Sequence, residues 1–93
     1  MTIYFSAEAE EQLEGIVTYL GENWSQRIKT DFLAKLADTL ERISQMPDLY
    51  RRSEKRPGLR ECVINKQTVL YYRLLPNEIE VVAILSAQRG PEP

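Results

Sequence analysis

The chain has 93 residues, 43% of them hydrophobic and 28% charged, which fits one soluble globular domain spanning 1–93. It contains no histidine and a single cysteine, Cys62. That excludes histidine metal sites, Ser-His-Asp triads, cysteine-rich zinc sites and a disulfide framework; no cofactor is expected, and a reducing cytoplasm is the expected compartment.

The net charge of −2 is unevenly spread. Residues 1–50 hold four basic and nine acidic side chains, whereas residues 51–93 hold eight basic and five acidic. The densest cluster is "RRSEKRPGLR" at 51–60, with five basic residues and one acidic. A polyanionic partner would meet this second half of the chain. No apolar run approaches the roughly 18 residues of a membrane span, so no membrane partner is expected. The N-terminal "MTIYFSAEAEE" lacks a basic n-region, so no secretory signal is expected either.

In chain order, the β-branched and aromatic "TIYF" at 2–5 predicts a short strand. Ser6 is placed to be an N-cap, and Glu8, Glu10 and Glu11 suit the positive end of a helix dipole. Ala9, Leu13, Ile16, Val17 and Leu20 recur at helical spacing, predicting a first helix over 7–20 that "GEN" at 21–23 breaks. A second helix begins near Ser25, carries Ile28, Phe32, Leu36, Leu40 and Ile43 on one stripe, and stops at Pro47. The short connector implies an antiparallel helix hairpin, with Trp24 as a packing anchor at its corner.

Residues 48–58 read as a basic loop punctuated by Pro57-Gly58. Three strands follow, over about 59–65, 68–75 and 78–85, joined by turns at "NK" or "KQ" and at "PN". Pro76 cannot take the positive φ of a type I′ turn, so a loop around a type I or II turn is expected there. The tail "AQRGPEP" is expected to be mostly irregular. The order β-α-α-β-β-β defines an α+β fold: an N-terminal strand and a three-stranded antiparallel meander in one sheet, with the helix hairpin on one face.

Strand alternation divides the last hairpin into two faces. Leu74 with Ile79, Tyr72 with Val81, Leu70 with Ala83 and Thr68 with Leu85 make an apolar face for the helices. Arg73 with Glu80, Tyr71 with Val82, and Val69 with Ile84 make the other, which Arg60, Cys62 and Ile64 are expected to join from the preceding strand. Nothing remains in the chain to cover this second face. It reads as a partner surface of Val69, Tyr71, Val82 and Ile84, rimmed by Arg60, Arg73 and Glu80.

The initial strand with "SAEAEEQLEGIVTYL", then "NWSQRIKTDFLAKLADTLERISQMP", "RPGLRECVINKQTVLYYRL", "IEVVAIL" and a terminal "RGP" together resemble the RelE/ParE superfamily of bacterial toxins from type II toxin–antitoxin modules. The resemblance covers nearly the whole chain and rests on order, spacing and length rather than on a catalytic signature. It implies a toxin neutralised by a cognate antitoxin that wraps it with a helix or strand. It also implies one of two activities: ParE-like members poison DNA gyrase, and RelE-like members cleave mRNA on the ribosome without a metal.

A metal-free ribonuclease must activate a 2′-hydroxyl, stabilise a phosphorane and protonate a leaving oxygen. Histidine is absent, and at the positions where the resemblance implies such groups the candidates are Arg60, Lys66 and Arg89. The acidic balance, with a sequence pI of about 5.2, also disfavours docking on ribosomal RNA. The gyrase-type toxin is therefore the favoured reading. A ribosome-dependent nuclease and a toxin-like binding module without toxic activity remain as alternatives. Antitoxin or target contacts are expected from Arg60, Val69, Tyr71, Arg73, Val82 and Ile84, from the loop residues Arg51, Arg52, Lys55 and Arg56, and from Arg89. Structural roles compete at several of these positions. Arg60 and Arg73 could be edge charges paired with Glu61 or Glu80, Tyr71 could be a packing residue, the charge run at 51–56 could be a solvated loop, and Cys62 reads as a small buried apolar group.

Overall fold

A computed structural model describes residues 1–87. Its elements are β1 (Thr2–Phe5), α1 (Ala7–Asn23), α2 (Gln26–Gln45), β2 (Arg60–Asn65), β3 (Thr68–Leu74) and β4 (Glu78–Ser86). The four strands form one mixed sheet in the order β1-β4-β3-β2, with β1 parallel to β4 and the meander antiparallel. The α+β architecture and the element order are those expected from the sequence.

Ser6 joins strand to helix. Its Oγ accepts from the Ala9 N–H at 3.0 Å, capping α1, and donates to the Val82 carbonyl at 2.9 Å. Its own N–H donates to the Val81 carbonyl at 2.9 Å. The predicted break at "GEN" does not occur: α1 runs on to Asn23. Gly21 costs only about 1 kcal/mol in helix propensity, and the next start signal, Ser25, leaves no room for an earlier stop. The Ser25 Oγ caps α2 by accepting from the Ile28 N–H at 3.1 Å.

The core holds Ala9, Ile16 and Leu20 of α1, Phe32, Leu36 and Ile43 of α2, and Ile64, Leu70, Tyr72, Ile79, Val81 and Ile84 of the sheet. At the start of α2 the predicted stripe fails, because Ile28 is 42% exposed. Trp24 is 53% exposed and is not the packing anchor expected of it. Both residues line an open depression with Leu20, Phe32, Asn65 and Gln67, so this corner of the helix hairpin is left uncovered.

Two irregularities change which face each strand residue occupies. In β2 the register shifts between Val63 and Asn65, so Val63, not Ile64, pairs with Val69. Between β3 and β4 it shifts at Tyr71/Tyr72: Tyr72 pairs with Val81, Tyr71 with Ala83, and Leu70 with Ile84. A one-residue slip exchanges the faces. Four assignments to the partner face are thereby corrected: Ile84, Ile64 and Cys62 are buried, and Arg60 pairs in register with Tyr72 on the helix side. Ala83 moves the other way and pairs with Tyr71. Val82 is the unpaired residue of the bulge and is half-buried.

The bulge in β4 has a visible support. Successive carbonyls of a regular strand point in opposite directions, yet those of Val81 and Val82 both bond Ser6. Beyond the end of β1, the freed Ile84 N–H donates to the Gln12 Oε1 of α1 at 2.7 Å. At Pro76-Asn77 the Leu75 N–H donates to the Glu78 carbonyl at 2.8 Å, and no residue there has positive φ, which excludes the type II turn.

Candidate functional site

The corrected second face is read from the pairing. Glu61, Val63, Val69, Tyr71, Arg73, Glu80, Ala83 and Leu85 share it. Val63 is 67% exposed and Val69 is half-buried, whereas Tyr71 is only 8% exposed. Tyr71 is covered because the basic loop folds back over this face. The Arg56 guanidinium lies 4.9 Å from the Tyr71 ring centre, a cation–π contact.

Three features hold the loop. Arg51 donates to the Glu61 carboxylate through Nε at 2.8 Å and Nη2 at 2.5 Å. The Ser53 side chain is buried, and its Oγ accepts from the Arg56 N–H at 3.0 Å. Gly58 turns the chain back toward β2 with φ 88°, a conformation other residues rarely take. The Arg51 guanidinium, and then the Ser53 hydroxyl, hold the Glu61 carboxyl below its ordinary pKa.

The result is a mixed surface. Arg51, Glu54 and Lys55 stand along one side of a shallow depression of about 240 Å³, with Glu61, Val63, Val69 and Tyr71 as its floor. Of the expected contact residues, the fold brings Arg51, Lys55, Arg56, Val69 and Tyr71 together. Arg73 lies on the same face at its end, paired with Glu80 at 2.6 Å, as its structural reading had it. Val63 and Leu85 were missed. Alternation alone placed them on the core side, and only the bulges reverse that.

The other side of the sheet end is a separate polar cluster. Arg60 donates to the Tyr50 carbonyl at 2.7 Å and to Asp48 at 3.2 Å, not to Glu61 as its structural reading allowed. The Tyr72 hydroxyl donates to the Pro47 carbonyl at 2.7 Å, and Arg42 donates to the Tyr50 hydroxyl at 3.2 Å. This cluster fastens the chain after α2 to β2 and β3. Burial pushes the Tyr72 phenol up to about 12, with Arg60 pulling the other way. Burial likewise raises the Cys62 thiol, which fits the small buried group read from the sequence rather than a reactive thiolate.

Of the three candidate catalytic groups, the two that are described, Arg60 and Lys66, do not converge. Arg60 opens β2, whereas Lys66 lies in the turn beyond its far end. Six residues of strand put them about 20 Å apart. Arg89 lies outside the described residues. Also among the described residues, no group of acidic or cysteine side chains is arranged to hold a metal, and no helix is long and apolar enough to cross a membrane.

The fold defines a class: small α+β domains with a helix hairpin on a four-stranded mixed sheet, shared with solved toxins of bacterial toxin–antitoxin pairs. A chain of the chromosomal ParDE TA system from P. aeruginosa matches with a TM-score of 0.78 at 17% identity, covering 92% of this chain and 95% of that one. The YoeB dimer from Staphylococcus aureus gives 0.64 at 21% identity, covering 91% and 94%. The E. coli DinJ-YafQ complex gives 0.54 at 14% identity, covering 97% of both chains. No curated protein sequence matches significantly. The family itself is defined by sequence: residues 3–91 match the ParE toxin of the type II toxin–antitoxin system parDE, and the chain belongs to that family.

Proposed function

We propose that this protein is a ParE-like toxin that inhibits DNA gyrase and is held in check by an antitoxin segment laid across the second sheet face. The observation that carries the gyrase reading is the separation of Arg60 from Lys66 together with the engagement of Arg60. Its guanidinium is spent on Tyr50 and Asp48, fastening the fold, at the far end of β2 from the Lys66 turn. An acid, a base and a phosphate clamp acting on one phosphodiester need to lie within hydrogen-bond reach of it. Membership of the ParE family supports the same reading. A gyrase poison needs a binding surface rather than an acid–base set.

For the antitoxin, the loop-framed surface supplies an apolar floor at Val63 and Val69 and a cationic wall at Arg51, Lys55 and Arg56. An acidic segment with apolar anchors matches both parts. The activity is tested by two assays on the purified toxin: toeprinting on translating ribosomes, and plasmid cleavage with purified gyrase. Gyrase-dependent DNA breaks with no mRNA cuts are the expected outcome. Codon-positioned mRNA cuts, lost in Lys66→Ala or Arg89→Ala, would replace the gyrase reading with a nuclease.

A further inference from the structure

Where the basic loop returns to the sheet, it lays Arg52 opposite Arg60 in an antiparallel bridge. The Glu61 N–H donates to the Arg51 carbonyl at 3.0 Å, and the Ser53 N–H donates to the Leu59 carbonyl at 2.8 Å. Those two bonds flank the arginine pair. It is therefore a non-hydrogen-bonded pair, the kind whose side chains come closest. Like charges placed directly opposite destabilise a sheet. Arg60 is tied to Tyr50 and Asp48, but Arg52 is exposed, and among the described residues no carboxylate lies within ion-pair reach of it.

The two side chains border a cavity of about 220 Å³ at the end of the sheet, which Arg73, Leu59, Leu74 and Gly58 complete. Nothing lies within 4 Å of where a Cβ on Gly58 would stand, so that wall is open.

We infer that this cavity binds one phosphodiester group of a nucleic-acid backbone, with the unpaired Arg52 as its principal donor. Guanidinium forks match tetrahedral oxyanions, and a cavity of about 220 Å³ has room for a phosphate group. The charge also fits. Asp48 offsets Arg60 and Glu80 offsets Arg73, so the unpaired charge of Arg52 faces the single negative charge of a phosphodiester. Arg51, Lys55 and Arg56 in the same loop add positive potential nearby in sequence, which suits a polymer of phosphates better than a lone carboxylate. This site is distinct from the antitoxin surface, and it stands whether or not gyrase is the target.

The test is a titration of the isotope-labelled full-length toxin, followed by NMR, with short duplex DNA, single-stranded RNA of equal length, inorganic phosphate and polyglutamate. Amide shifts at Gly58, Leu59 and Leu74 are expected with nucleic acid, and the tighter of the two nucleic acids identifies the source of the phosphate. Arg52→Ala should weaken binding roughly tenfold, as loss of a charge-assisted contact does, without lowering the thermal unfolding temperature. It should also flatten the log–log salt dependence by about 0.9 for duplex DNA or about 0.7 for a single strand. Arg52→Lys should restore only part of the affinity. Shifts confined to other residues, or a salt dependence unchanged in Arg52→Ala, would overturn the inference. So would polyglutamate occupying the site while nucleic acid does not. Cleavage of the RNA during the titration would sink the gyrase reading and leave the phosphate site standing.

Discussion

At the scale of single residues, Tyr72 shows how one buried polar group fastens separate parts of the chain. Its side chain has no exposed surface, its hydroxyl reaches the Pro47 carbonyl just after α2, and its ring meets Tyr50 edge-on at 6.5 Å. Burial raises its phenol from 10.0 to about 12. A raised folded-state value means that the folded protein holds this proton more tightly than the unfolded chain. The associated stability is complete below about pH 10 and is lost as the pH climbs toward 12. Denaturant melts taken across that window should show stability falling steeply in the wild type. Tyr72→Phe should cost about 0.5–1.5 kcal/mol at neutral pH, the worth of one hydrogen bond, and should fall less steeply in alkali. An identical alkaline slope in the variant would mean that other groups govern the transition.

At the scale of elements, the helices and strands were legible and the faces of the strands were not. Helical periodicity found both helices because burial repeats every turn, and Ser6 and Ser25 marked their starts through a chemistry that is local. Leu36, 4% exposed, is central to the α2 stripe, and Leu36→Ala should cost roughly 2–5 kcal/mol in chemical denaturation. Leu40 is only half-buried at the margin of that core, so Leu40→Ala should cost clearly less. Strand faces depend on parity, and parity depends on bulges. The bulge in β4 is sustained by Ser6, 76 residues away in sequence from Val82, and by Gln12 beneath Ile84. No local pattern in "IEVVAIL" announces partners so distant. Ile84→Ala is the sharpest check of the revised parity. A residue 1% exposed in the core should lose about as much as Leu36→Ala, whereas a residue on a partner face should lose little. A near-neutral result would restore the unbulged register.

At the scale of the whole molecule, charge and layering act together. The acidic first half supplies the helix layer and strand β1, and the basic second half supplies the other three strands and the loop that curls over the far side of the sheet. Composition made the asymmetry visible, but not that residues 51–56 would fold onto the sheet. That depends on the Arg51–Glu61 pair, the turn at Gly58 and the Arg56–Tyr71 contact acting in three dimensions. The fold thus half-covers its second face. Tyr71 is shielded, while Val63 and Val69 remain open beside three basic side chains. An antitoxin segment that anchors here would bury Val63 most completely, because it begins the most exposed. Val63→Glu places a carboxylate where an apolar anchor would sit and where the incoming acidic groups would repel it. It should weaken the antitoxin complex at least about tenfold, equivalent to about 1.4 kcal/mol, and should leave the melting temperature of the free toxin unchanged. Val63→Ile, which keeps the apolar surface, should bind as the wild type does. Calorimetry with the purified antitoxin decides between them. Equal affinity for all three proteins would move the antitoxin off this face, toward the exposed Trp24 and Ile28 at the helix corner.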